Sequence, residues 1–104
     1  MKVTFLYYED CPSHDQALER LQLVMAEEQL EAELEIVKVE SEEQVRYFHF
    51  IGSPTILVDG QDIVPPPAEA VPALTCRAYQ LEDGRISPLP SMGMIRRALK
   101  QNHG

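Results

Sequence analysis

Two prolines limit where the regular structure of this chain can begin. Pro12 stands in Cys11-Pro12-Ser13-His14, just after the β-branched and aromatic run Val3-Thr4-Phe5-Leu6-Tyr7-Tyr8. Pro54 stands in Gly52-Ser53-Pro54-Thr55, just before Ile56-Leu57-Val58. Proline has no backbone N–H and a fixed φ, so it is excluded from the middle of a central strand and suits the first position of a helix. Cys11 and Pro12 are therefore expected to open a helix behind a strand over residues 2–8, and Pro54 to begin a later strand.

The rest of the chain fits that frame. Ala17, Leu18, Leu21, Val24 and Met25 form a helical stripe with Glu19, Arg20, Glu27 and Glu28 opposite, ending near Gln29 or Leu30. Leu34, Ile36, Val37 and Val39 read as a second strand. Ser41, with Gln44 three residues on, is a capping-box signature for a short helix carrying Val45 and Phe48, with Gly52 as its stop. Thr55–Val58 and Gln61–Val64 flank an Asp59-Gly60 turn and read as a hairpin. Pro65-Pro66-Pro67 halts the return strand, and residues 65–75 read as a loop. Cys76–Tyr79 and Arg85–Ser87, about the Asp83-Gly84 turn, suggest a second, smaller hairpin. Ser91 caps a last helix with Met92, Ile95, Ala98 and Leu99 inward, Arg96, Arg97 and Lys100 in its final turns, and His103 in a fraying tail. The order β-α-β-α-β-β-α predicts a single α/β domain over residues 1–104, a four-stranded mixed sheet with helices on both faces.

Charge and cysteine content narrow the function. A formal net charge of −8 argues against nucleic acid and against an anionic membrane surface. No apolar stretch approaches the roughly 20 residues of a spanning helix, and the start of the sequence does not read as a secretion signal. The expectation is a cytoplasmic protein. Its two cysteines are then expected to be buried small residues, metal ligands or a reactive pair rather than a structural staple.

Cys11 has a specific chemical opportunity. Unpaired N–H groups and partial positive charge converge at a helix N-terminus, and both favour a thiolate. Ser13 and His14 are placed to supply those amides, and a protonated His14 adds charge or moves a proton for the leaving thiol. Glu9, Asp10 and Asp15 crowd the same corner and oppose the effect. The strand opened by Pro54 offers backbone on which a substrate chain can lie. The competing reading makes Cys11 a small buried residue closing a strand and His14 a partly buried ring on the sheet edge.

These residues resemble the thioredoxin-like superfamily, nearest to its small glutaredoxin-like members. Cys11-Pro12-Ser13-His14 stands in the slot of the redox motif, Ser53-Pro54-Thr55 in that of the cis-proline, and Val58-Asp59-Gly60-Gln61 looks like the following turn. The resemblance implies a three-layer α/β/α sandwich, a cis Pro54 beside Cys11, and Pro12, Ser13, Ser53, Pro54 and Thr55 as the surface that holds the partner. It departs where the second cysteine of the motif is replaced by His14. Cys11 then acts as a monothiol, or a remote cysteine resolves its mixed disulfide, or the chain is not a redox enzyme. Cys76 serves as the resolving thiol if its Cα comes within about 7 Å of that of Cys11; otherwise it is a buried part of the small hairpin. Arg77 beside it either attracts an anionic substrate or balances the acidic surface.

The leading expectation is a thiol–disulfide oxidoreductase of monothiol or remote-dithiol type. It needs no cofactor, and its partner is a disulfide-containing protein or a low-molecular-weight thiol. Two others stand beside it: a soft-metal or organomercurial-handling protein using Cys11, His14 and Cys76, and a non-catalytic thioredoxin-like binding module.

Overall fold

In the computed structural model, which describes residues 1–103 and side chains as far as Gln101, strand β1 (Lys2–Tyr7) lies inside a four-stranded sheet. Val3, Phe5 and Leu6 are fully buried, as an inner strand covered on both faces requires. On one side β1 pairs in parallel with β2 (Glu33–Lys38), Phe5 opposite Ile36. On the other it pairs antiparallel with β3 (Thr55–Val58), Phe5 opposite Ile56. A short β4 (Gln61–Asp62) adds antiparallel to β3, giving the order β2-β1-β3-β4. Glu33 and Glu35 lie on the β2 edge, where charge discourages pairing with another chain.

Alternation along β1 sends its side chains into two cores. Val3, Phe5, Ile56 and Val58 pack under Ala17, Leu21 and Val24 of α1 (His14–Glu27) and Ile95 and Leu99 of α3 (Met92–His103). Leu6 faces the other way, with Val39, Phe50 and Val45 of α2 (Glu42–Phe48). Helices thus cover both faces. Each of the valine, leucine, isoleucine and phenylalanine side chains contributes about 1.5–3 kcal/mol on burial. At α2 the cap forms with one shift from the capping box: Ser41 Oγ accepts from the Gln44 N–H at 3.2 Å, as the sequence implies, but Gln44 Oε1 accepts at 2.9 Å from the N–H of Glu40, the residue before the cap. Ser91 Oγ likewise accepts from the Met94 N–H at 3.1 Å before α3. The side chain of His103 lies outside the described residues.

Several boundaries differ from the sequence expectation. α1 begins at His14, not at Pro12; Ser13 is its N-cap, and a turn closed by the His14 N–H on the Cys11 carbonyl at 3.5 Å precedes it. α2 stops at Phe48 because His49 turns left-handed (φ 51°), and the Phe50 N–H returns to the Val45 carbonyl at 2.9 Å. That closure drops Phe50 into the core, so Gly52 is not the helix stop. The small hairpin consists of β5 (Tyr79–Gln80) and β6 (Ile86–Ser87) and leaves Cys76 outside it. Among the described residues no helix is long and apolar enough to cross a membrane.

Candidate functional site: a disulfide between the strand–helix corner and a returning loop

β1 ends at Tyr7, and the chain turns sharply, with the Cys11 N–H on the Tyr8 carbonyl at 3.0 Å. That turn places Cys11 under the start of α1, only 1% exposed. Its sulfur is bonded to Cys76, 65 residues on, with the two Cα atoms 5.7 Å apart. This separation is in the ordinary range for a disulfide. Cys76, unlike Cys11, is exposed.

Backbone pairing carries Cys76 to the corner. The segment around it lies parallel to the residues before β3: the Ser53 N–H donates to the Thr75 carbonyl at 2.8 Å, and the Arg77 N–H to the Ser53 carbonyl at 2.9 Å. The Ser53–Pro54 peptide bond is cis. Gly52 permits the approach, because a Cβ there would lie 3.0 Å from the Arg77 backbone, and its φ of +150° disfavours other residues. Gly52, Ser53, Pro54 and Thr55 are all buried. In this disulfide-bonded state the backbone edge expected to receive a substrate chain is therefore covered by the protein's own Thr75–Arg77. Pro12 is exposed and Ser13 half-buried on the turn before α1.

Arg77 holds this arrangement from below. Its guanidinium is buried and donates to Asp62 Oδ2 at 2.7 Å, to Thr55 Oγ1 at 3.3 Å and to the Val64 carbonyl. It also lies 4.5 Å from the centre of the Tyr79 ring. The Tyr79 hydroxyl donates to the Pro54 carbonyl. Burial pushes the Tyr79 phenol well above its ordinary pKa, so it keeps its proton and remains a donor. Neither sequence reading of Arg77 describes it: the side chain neither meets solvent anions nor balances a surface. Its neighbours Cys76, Ala78 and Tyr79 were the available signal, since Arg77 and Tyr79 share one side of an extended segment.

The acidic residues of the corner have partners of their own. Glu9 pairs with Lys38 at 2.7 Å, and this hydrogen bond raises the Lys38 pKa. Asp10 accepts from the Tyr8 hydroxyl at 2.9 Å and raises the phenol pKa. Asp15 meets His14 Nδ1 at 3.2 Å, while the His14 ring stacks on Tyr7 with centroids 4.6 Å apart. His14 thus lies at the mouth of the corner with Tyr7 and Asp15 as its contacts. Among the described residues no three His, Cys, Asp or Glu side chains form a metal-holding group. Cys11, His14 and Cys76 are not assembled as a ligand set, and both sulfurs are committed to each other.

Ser53 Oγ is fully buried and, among the described residues, has no hydrogen-bond partner. Such a hydroxyl costs free energy rather than contributing it. Ser53→Ala is therefore expected to leave the oxidised protein at least as stable, with a gain of about 1 kcal/mol and a melting point a few degrees higher. A lower melting point would show that the hydroxyl has a partner in solution.

Comparisons with protein-family models, with curated proteins and with solved structures find no match to this chain.

Proposed function

We propose that the chain is a thioredoxin-like thiol–disulfide oxidoreductase of remote-dithiol type, cycling Cys11 and Cys76 between one disulfide and two thiols. The observation that carries this reading is the bond itself. It joins a buried cysteine at a strand–helix corner to an exposed one held on the Ser53 backbone. Supporting it are the order β2-β1-β3-β4, the helices on both faces, and the position of Pro54 immediately before β3. Cys76, which lies beyond the β3–β4 hairpin, supplies the partner sulfur that the residues directly after Cys11 lack. In the cytoplasm a bond of this kind is a working intermediate rather than a staple. The partner is a disulfide-bearing protein or a low-molecular-weight thiol, and no cofactor enters the cycle.

The test is reductase turnover on a protein disulfide and on a glutathione mixed disulfide, with excess glutathione as electron source. The parent is expected to exceed the uncatalysed rate, and Cys11→Ser and Cys76→Ser each to abolish the excess on the protein disulfide. Parent activity no higher than that of the double serine variant would leave the bond as a structural cross-link only.

A further inference from the structure

The two cysteines of the bond are not equally exposed, and this difference bears on the role of each sulfur. Thiol–disulfide exchange depends on access to the sulfur under attack. The nucleophile approaches along the S–S axis, from behind the sulfur that it joins. Behind Cys11 there is packed protein, because the residue is 1% exposed beneath α1. Cys76 is exposed and opens on a groove of about 270 Å³ whose walls include Ile51, Pro65, Pro67 and Val71. Val71 is itself 77% exposed, so the groove is open to solvent.

We infer that Cys76, not Cys11, is the sulfur that exchanges with the outside thiol, and that Cys11 is the internal leaving and resolving group. The inference rests on the oxidoreductase reading above and reverses the order expected from the sequence, in which Cys11 attacks. In the reducing direction, an external thiolate attacks Cys76 Sγ. The Cys11–Cys76 bond breaks, its electron pair goes to Cys11 Sγ, and a mixed disulfide forms on Cys76. A second external thiolate attacks the external sulfur of that mixed disulfide and releases Cys76 as thiolate. Two external thiols have then become one disulfide, and two electrons and two protons have passed to the protein. Toward a substrate disulfide the steps reverse. The Cys76 thiolate attacks, one substrate thiolate leaves, and Cys11 attacks Cys76 Sγ to expel the second and restore the bond. A partner thus meets the oxidised protein at Cys76 in the groove, where the buried Ser53–Pro54 edge is covered by Thr75–Arg77.

The experiment starts from the oxidised parent. It is exposed briefly to glutathione, quenched with acid, digested and mapped by mass. Glutathione is expected on the peptide that contains Cys76. In parallel, the reduced single variants are titrated with oxidised glutathione. Cys11→Ser, which keeps Cys76, is expected to form its mixed disulfide about tenfold faster or more than Cys76→Ser. Glutathione on the Cys11 peptide, or equal or reversed variant rates, overturns the assignment of roles and leaves the oxidoreductase reading standing. A bond that exchanges only after denaturation overturns both. The mapping on the parent needs no variant to fold.

Discussion

Reducing the Cys11–Cys76 bond is expected to lower the stability of the folded chain by about 4 kcal/mol and its melting temperature by about 15–30 °C. The bond closes a loop across 65 residues of a 104-residue chain. Most of its effect is on the unfolded state, whose freedom it removes, and a loop this long puts the entropic contribution near the upper part of the usual range. The folded state loses less. In the oxidised state the Thr75–Arg77 segment is also held by hydrogen bonds to Ser53, by the guanidinium contacts and by the Tyr79 bond to Pro54, and none of these requires the disulfide. After reduction a buried Cys11 thiol packs as a small apolar side chain. The reduced protein is expected to stay folded at room temperature with a small margin, since domains of this size have about 5–15 kcal/mol in all. Thermal melts with and without dithiothreitol provide the measurement. A Cys11→Ala/Cys76→Ala double variant is expected to match the reduced parent and to ignore the reductant. Equal melting points for oxidised and reduced parent would refute the claim. The linkage also runs the other way: whatever the bond adds to folding, folding adds to the bond. About 4 kcal/mol corresponds to about a thousandfold in the bond's equilibrium constant and to a reduction potential about 90 mV below that of the same cysteines in the unfolded chain.

Residues whose partners are near in sequence are readable from pattern alone; the distant pairing of Cys76 with Cys11 stands in the sequence only as one of two alternatives. β1 shows itself through its run of β-branched and aromatic residues, and α1 through a stripe from Ala17 to Met25, both local signals. Ser41 and Ser91 announce caps because the amide each one satisfies is three residues away. The exact start of α1 was not legible, because a proline tolerated at the first helical turn is equally tolerated in the turn before it, and the structure takes the second option. His49 carried no signal as a left-handed terminus; its conformation follows from Phe50 being drawn into the core beside Leu6 and Val39. The site divides in the same way. Cys11 stood out by its place between strand and helix. The contact of Cys76 with it depends on one isolated bridge to Ser53, which leaves no periodic trace. Arg77 was hidden most completely, because a charged residue reads as surface unless its counter-charge is known, and Asp62 lies 15 residues back in β4.

Arg77→Met is expected to destabilise the protein by about 3–5 kcal/mol, the range for breaking a buried ion pair from one side. The Arg77 side chain is 6% exposed and that of Asp62 12%, so solvent screens the pair little. Methionine fills much of the space but supplies no donor. Asp62 is left with uncompensated charge, while the Thr55 hydroxyl and the Val64 carbonyl each lose a bond. Arg77→Lys is expected to recover only part, because an ammonium on a flexible stem cannot serve the carboxylate, the carbonyl and the hydroxyl in one fork while lying on the Tyr79 face. Removing both charges in Arg77→Met/Asp62→Asn is expected to cost clearly less than the sum of the single changes, with a coupling of about 2 kcal/mol, since neither partner is then stranded. Denaturant unfolding of the four proteins under oxidising conditions measures the cycle. The same variants test the link to the bond. Arg77 adjoins Cys76 and holds its segment to β3 and β4, so losing the guanidinium widens the positions that the Cys76 sulfur visits after reduction. Its effective concentration at Cys11 falls, and in a glutathione redox buffer Arg77→Met is expected to hold a larger dithiol fraction than the parent. A strictly additive cycle together with an unchanged redox equilibrium would mean that the backbone pairing at Ser53 holds Cys76 in place without help from the charge beneath it.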